Sequence, residues 1–141
     1  MTTRAMLLRE AAISAAINAV LSIVFFILVF GTSVAPGLAA LGQDFLPQAF
    51  MVSLMGSLVP ALLMRRQLGG AIVPVVLRAI AFALLGAAIA GGAAYWLCAL
   101  HGAATLPIAP ALTVKALFGA VLGAIVAPLA VWPVIASARR A

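Results

Sequence analysis

Apolar residues fill four long stretches of this chain, and nearly all charged residues fall between or beyond them. The stretches cover roughly residues 11–31, 45–64, 79–100 and 111–136. Each is close to the 20 or so mostly apolar residues that a helix needs to cross the hydrocarbon core of a bilayer. The pattern therefore predicts an all-α integral membrane protein, a bundle of four transmembrane helices.

The composition supports this interpretation and leaves no room for a soluble domain. Hydrophobic residues make up 67% of the 141 residues, against about 45 to 50% in ordinary soluble domains. We therefore expect a single membrane domain over residues 1–141, made of two helical hairpins, 1–68 and 69–141.

The basic residues indicate how the helices are oriented. Seven of the eight lie before the first span, around the central connection or at the C-terminus: Arg4, Arg9, Arg65, Arg66, Arg78, Arg139 and Arg140. Only Lys115 falls on the other side. By the positive-inside rule, both termini and the central loop face the cytoplasm. The net charge of +6 then reflects topology, and we expect no nucleic acid partner. The compact, Ala-rich chain is typical of the bacterial cytoplasmic membrane.

The two hairpins resemble each other in sequence. A Leu-Arg pair precedes the first span of each hairpin, at residues 8–9 and 77–78, and each hairpin contains a phenylalanine, a leucine and a proline at a nearly constant offset. The matched positions are Phe50, Leu54 and Pro60 in the first hairpin and Phe118, Leu122 and Pro128 in the second. An internal duplication would relate the hairpins by a two-fold axis along the membrane normal. The alternative is that two hairpins obeying the positive-inside rule share arginines at these points.

A polar stripe on the first span is the most informative local pattern. Glu10, Ser14, Asn18 and Ser22 recur every fourth residue and so share one helical face. Because an unpaired amide in hydrocarbon costs several kcal/mol, about 2–7, this face should point into the bundle, an interface or a watery cavity. The stripe is either interhelical packing or part of a cation or proton path.

Small residues on other spans predict close helix contacts. Ser53 and Ser57 are four residues apart on the second span, and Gly119 and Gly123 are four apart on the fourth. This spacing lets backbones approach closely. The contacts could lie within one chain or between chains.

The remaining charged groups are expected near the ends of the spans. We expect Asp44 to cap the second helix with Pro47 in its first turn. Asp44, His101 and Lys115 are all expected at the outer mouth, with His101 a solvated loop residue. Arg78 either extends its side chain to the inner interface or pairs with Glu10.

The set of reactive side chains is small, and this directs the functional prediction. Two carboxylates expected on opposite faces cannot act as a paired acid and base. One His and one Cys cannot supply a zinc site. We therefore expect no enzyme activity, cofactor or metal.

The leading functional prediction is an accessory or self-assembling membrane subunit, in contact with lipid and with itself or another membrane protein. The alternative is a small channel or transporter, cation or proton coupled, that uses the stripe.

Overall fold

The computed structural model describes residues 2–139, and these are helical apart from short connections and one isolated β-bridge. The four helices are α1 (Thr3–Phe30), α2 (Leu38–Leu68), α3 (Val73–Ala99) and α4 (Ile108–Ala138). All four are long and apolar enough to span a membrane, which confirms the expected all-helical architecture with four candidate spans. At 1.5 Å per residue the longest are about 46 Å, close to the thickness of a bilayer with its headgroups.

Glycines end the first two helices. Gly31 follows α1 at φ 71°, and its N–H donates to the Ile27 carbonyl at 2.9 Å. Gly69 follows α2 at φ 83° and donates to the Arg65 carbonyl at 2.7 Å. Because a side chain at positive φ is strained, glycine is the residue that ends a helix in this way at little cost.

Each helix packs mainly against helices of the other hairpin rather than against the other helix of its own hairpin. α2 and α4 form the central pair, α1 packs along α4, and α3 packs along α2. The helices of one hairpin hardly touch: α1 makes few contacts with α2, and α3 makes few with α4. We call the end of the bundle that carries the connections 31–37 and 100–107 the hairpin end, and the opposite end, with Thr2 and Arg139, the termini end. α2 and α4 both begin at the hairpin end.

α3 contains a π-helical segment at its closest approach to α2. The segment is Gly86–Gly91, and a Cβ added to Gly91 would lie 3.1 Å from the Leu46 Cα. At Gly86 it would overlap the Ser53 hydroxyl. The two backbones are therefore in direct contact, which explains why the segment consists of Gly, Ala and one Ile.

Apolar clusters close both ends of the bundle. The buried members at the termini end are Ala61, Met64, Val75, Ala130, Val131, Val134 and Ile135. Those at the hairpin end are Phe26, Leu41, Phe45 and Ala111. The buried polar side chains lie mainly between these two clusters.

The start of α2 differs from expectation. α2 begins at Leu38 with Gly37 as its N-cap, and no side chain caps it. Asp44 lies six residues into the helix, so its expected capping role is wrong. Residues 38–41, Leu-Ala-Ala-Leu, are strong helix formers, and Leu41 is buried in the hairpin-end cluster, so the helix extends upstream of the span read from hydropathy.

Candidate intramembrane site

An ion pair lies inside the bundle, between the two central helices. Lys115 Nζ of α4 donates to Asp44 Oδ2 of α2 at 2.5 Å. The lysine side chain is 1% exposed and the aspartate 22% exposed. Lys115 lies towards the hairpin end of the bundle and is buried there because α2 supplies both a counter-charge and an aromatic surface. Its expected place at the outer mouth stays a prediction. Charged groups at such a depth are rare and are functional candidates by default.

Aromatic rings support the lysine. Nζ lies 4.4 Å from the centroid of the Phe45 ring, a distance at which a ring face attracts a cation. Phe45 in turn meets Phe118 edge to face, with 4.8 Å between centroids. The ammonium is thus held by one carboxylate and one ring, and water has little access to it.

Gln48 joins three helices beside the ion pair. Its Nε2 donates to Ser22 Oγ of α1 at 2.7 Å and to the Lys115 carbonyl of α4 at 3.2 Å. A carbonyl can only accept, so the amide nitrogen must occupy this side. The Gln48 Oε1 atom is buried and has no hydrogen-bond partner among residues 2–139.

The polar stripe of α1 lies against glycines of α4. Ser14, Asn18 and Ser22 are all buried. Asn18 Nδ2 donates to the Ser14 carbonyl at 2.8 Å and to Ser14 Oγ at 3.1 Å, and Ser22 Oγ donates to the Asn18 carbonyl at 2.6 Å. A Cβ at Gly123 would lie 2.5 Å from Asn18 Nδ2, and one at Gly119 would lie 2.9 Å from the Asn18 carbonyl oxygen. The stripe and the glycine pair therefore form a single contact within one chain.

Glu10 lies apart from this centre. Its carboxylate is 3.8 Å from Arg9 Nε, and its side chain is 15% exposed. Within residues 2–139 the ion pairs are Arg9–Glu10 and Asp44–Lys115, so the alternative pairing of Glu10 with Arg78 is not formed. The stripe reaches the ion pair only at its other end, through Ser22 and Gln48.

A cavity of about 170 Å³ opens between α1 and α2, where these helices hardly touch. Its polar wall consists of Asn18, Ser22, Asp44, Gln48 and Lys115. Its apolar lining is Leu21, Phe25, Pro47, Met51, Val52 and Met55. Phe25, Met51 and Met55 are each about half exposed, so the cavity opens sideways, towards the region that lipid occupies.

The other candidate residues lie away from the cavity. Ser57 donates to the Ser53 carbonyl at 2.6 Å, and the Ser53 hydroxyl, buried against α3, has no partner in the described part of the chain. The basic candidates Arg65, Arg66, Arg78 and Arg139 lie at the termini end, where Arg65 Nε donates to the Gly70 carbonyl at 2.8 Å and Arg139 donates to Thr3 Oγ1. Arg140 falls outside the described residues.

The sequence analysis missed the centre of this site. Asp44, Gln48 and Lys115 were absent from the candidate residues, although a lysine inside an apolar stretch was a visible signal. A second signal was the opposite charge of Asp44 at the same end of the bundle. Combining the two would have predicted the pair, since a lone charge in hydrocarbon needs a partner.

Comparison of this chain with protein-family models, with curated proteins and with solved structures finds no match.

Proposed function

We propose that this chain is a small non-enzymatic membrane protein, an accessory or self-assembling subunit of a membrane complex. The observation that carries the proposal is the contact between the α1 stripe and α4. Ser14, Asn18 and Ser22 bond along their own helix and face Gly119 and Gly123, so they serve to pack α1 on α4.

The apolar clusters at both ends support the same proposal. A conduit for ions needs polar groups or water along its whole length, because a dehydrated ion in hydrocarbon is very costly. Here an apolar cluster, with Met6 and Leu7 packed against it, closes the termini end of the bundle. The two carboxylates are each paired with a basic residue, which supports a role without acid–base catalysis.

The proposal includes the cytoplasmic membrane of a bacterium as location, with both termini inside. Support comes from the seven-to-one distribution of basic residues, which places Arg65, Arg66 and Arg78 with the termini.

The proposal also includes an origin of the two hairpins by duplication. A two-fold axis along the membrane normal would exchange α1 with α3 and α2 with α4, and the packing of α1 on α4 and of α3 on α2 has this symmetry.

The test is ion flux through the purified full chain, reconstituted alone in vesicles with a pH-sensitive dye and, separately, with a potassium gradient. We expect no flux above that of empty vesicles, either for the natural chain or for the Glu10→Gln variant. Cross-linking in the native membrane followed by mass spectrometry should recover a second copy or another membrane protein. Robust Glu10-dependent flux by the chain alone would contradict the proposal.

The second candidate is a small transporter, and the Asp44–Lys115 pair at the cavity favours it. A transporter could exchange the internal Lys115 ammonium for a cationic substrate on Asp44. Flux that is abolished by Asp44→Asn but retained in Glu10→Gln would support this candidate and would place the path at the cavity rather than along the stripe.

A further inference from the structure

We infer that the lateral cavity between α1 and α2 binds one neutral amphiphile from the membrane, with a hydroxyl-bearing head of about the size of one ring and an apolar tail. The inference holds whether the chain works alone or as a subunit. It depends on the depth of the cavity, on the free acceptor in it, and on its charge balance.

The polar end of the cavity lies at the boundary between headgroups and hydrocarbon. Asp44 is six residues, or about 9 Å, from the start of α2, whose full length is about 46 Å. A hydrocarbon core of about 30 Å centred on this helix begins about 8 Å from its end. Lys115 lies at a similar depth in α4, seven residues after Ile108. Met51 and Met55 continue the cavity towards the bilayer centre. The depth therefore suits the head of an amphiphile near Asp44 and its tail along the methionines.

The polar wall offers an acceptor and hardly any free donor. Asp44 uses Oδ2 for Lys115, and its side chain is 22% exposed and lines the cavity. Its Oδ1 is therefore the acceptor that the cavity offers, whereas Gln48 Oε1 is buried behind the wall. The Gln48 nitrogen is engaged by Ser22 and the Lys115 carbonyl, and the lysine is 1% exposed. The missing group is thus a hydrogen-bond donor.

The charge balance selects a neutral donor. Asp44 and Lys115 neutralise each other, so a bound ammonium would leave one uncompensated positive charge at the edge of the hydrocarbon, which is strongly unfavourable. An anion would face the Asp44 carboxylate. A hydroxyl can donate to Asp44 Oδ1 without adding charge, which makes an alcohol or phenol the fitting chemistry.

The size and lining of the cavity suit a ring. Its volume of about 170 Å³ is similar to the roughly 150 Å³ of an apolar protein cavity that binds benzene. Phe25, Met51 and Met55 line it, and thioethers make favourable contacts with aromatic rings. The half-exposed rim leaves an exit for an alkyl tail into the bilayer.

The experiment compares two probes that differ only in the donor, 4-octylphenol and 4-octylanisole. The full chain in phosphatidylcholine nanodiscs is titrated with each probe, and the unfolding temperature is measured. We expect the phenol to raise the unfolding temperature saturably. The anisole should need roughly three- to tenfold more ligand for half saturation, because it cannot donate a hydrogen bond to the site. Equal shifts from the two probes, or a larger shift from octylammonium, would overturn the inference.

Matched variants locate the binding. Met55→Trp fills the cavity from its half-exposed rim and should remove the phenol-specific shift. Leu63→Trp places the same ring at a similarly exposed position of α2 that does not line the cavity, and it should retain the shift. A phenol-specific shift that persists in Met55→Trp would place the site elsewhere and contradict the inference.

Discussion

The Lys115 ammonium meets the Asp44 carboxylate at 2.5 Å in a part of the bundle where little water can replace a lost partner. Removing one member of a buried pair typically costs 3–5 kcal/mol, whereas replacing both with apolar residues is often neutral. Because Lys115 is 1% exposed and Asp44 is 22% exposed, the lysine is the more costly group to leave alone.

We therefore predict that Asp44→Leu lowers the free energy of unfolding by about 3 kcal/mol or more, and Lys115→Met by less. The double variant should recover most of the loss. The measurement is unfolding in mixed micelles by titration with a denaturing detergent. Additive losses in the double variant would show that the two charges do not stabilise each other.

Asn18 provides a second test at this scale. Its amide donates to Ser14 of the same helix and packs on the α4 glycines. Asn18→Leu should therefore lower the free energy of unfolding by about 1 kcal/mol, the net value of an ordinary intramolecular hydrogen bond. Ile17→Leu, at a neighbouring position that is 53% exposed, is the control and should change little. If Asn18→Leu left the free energy of unfolding unchanged, the stripe would not stabilise the bundle.

At the scale of elements, the contact between α1 and α4 depends on the absence of two side chains. A Cβ at Gly123 would lie 3.1 Å from the Ser14 carbonyl oxygen as well as against Asn18. The nearest atom to a Cβ at Gly92, in α3, is 3.9 Å away. Two helical glycines thus differ in whether a methyl group fits.

We predict that Gly123→Ala lowers the free energy of unfolding by about 1–3 kcal/mol through overpacking. Gly92→Ala should raise it by up to about 1 kcal/mol, because alanine is the better helix former and meets no clash. Both are measured in the same detergent titration. A stable Gly123→Ala protein would require α1 to shift on α4 without loss of its polar contacts.

The helices themselves were predictable, since their number follows from apolar length alone. Their ends were not: residues 38–44 lack a continuous apolar run, and α2 includes them because Leu41 packs in the hairpin-end cluster. The pairing of α1 with α4 was likewise unreadable. The period of four in Ser14, Asn18 and Ser22 gives the direction of a face, but a single helix carries no information about which neighbour covers it.

At the scale of the whole molecule, orientation in the membrane is a testable consequence of charge. We predict that reporter domains fused after Ala141 or inserted in the 69–73 connection report the cytoplasm, and that those near Gly37 or Ala104 report the outside. The measurement is the alkaline phosphatase activity and the green fluorescent protein fluorescence of matched fusions at each position. An external C-terminus would contradict the proposed orientation.

The exchange of packing partners between the hairpins has a consequence for biosynthesis. Asn18 leaves the ribosome about 100 residues before Gly119 and Gly123, the glycines that cover it, which at about 5–20 residues per second is a delay of roughly 5–20 seconds. During that interval α2 is present but offers α1 little surface. We therefore expect nascent α1 to remain beside the insertion machinery or a chaperone until α4 arrives, and the first hairpin expressed alone to be degraded.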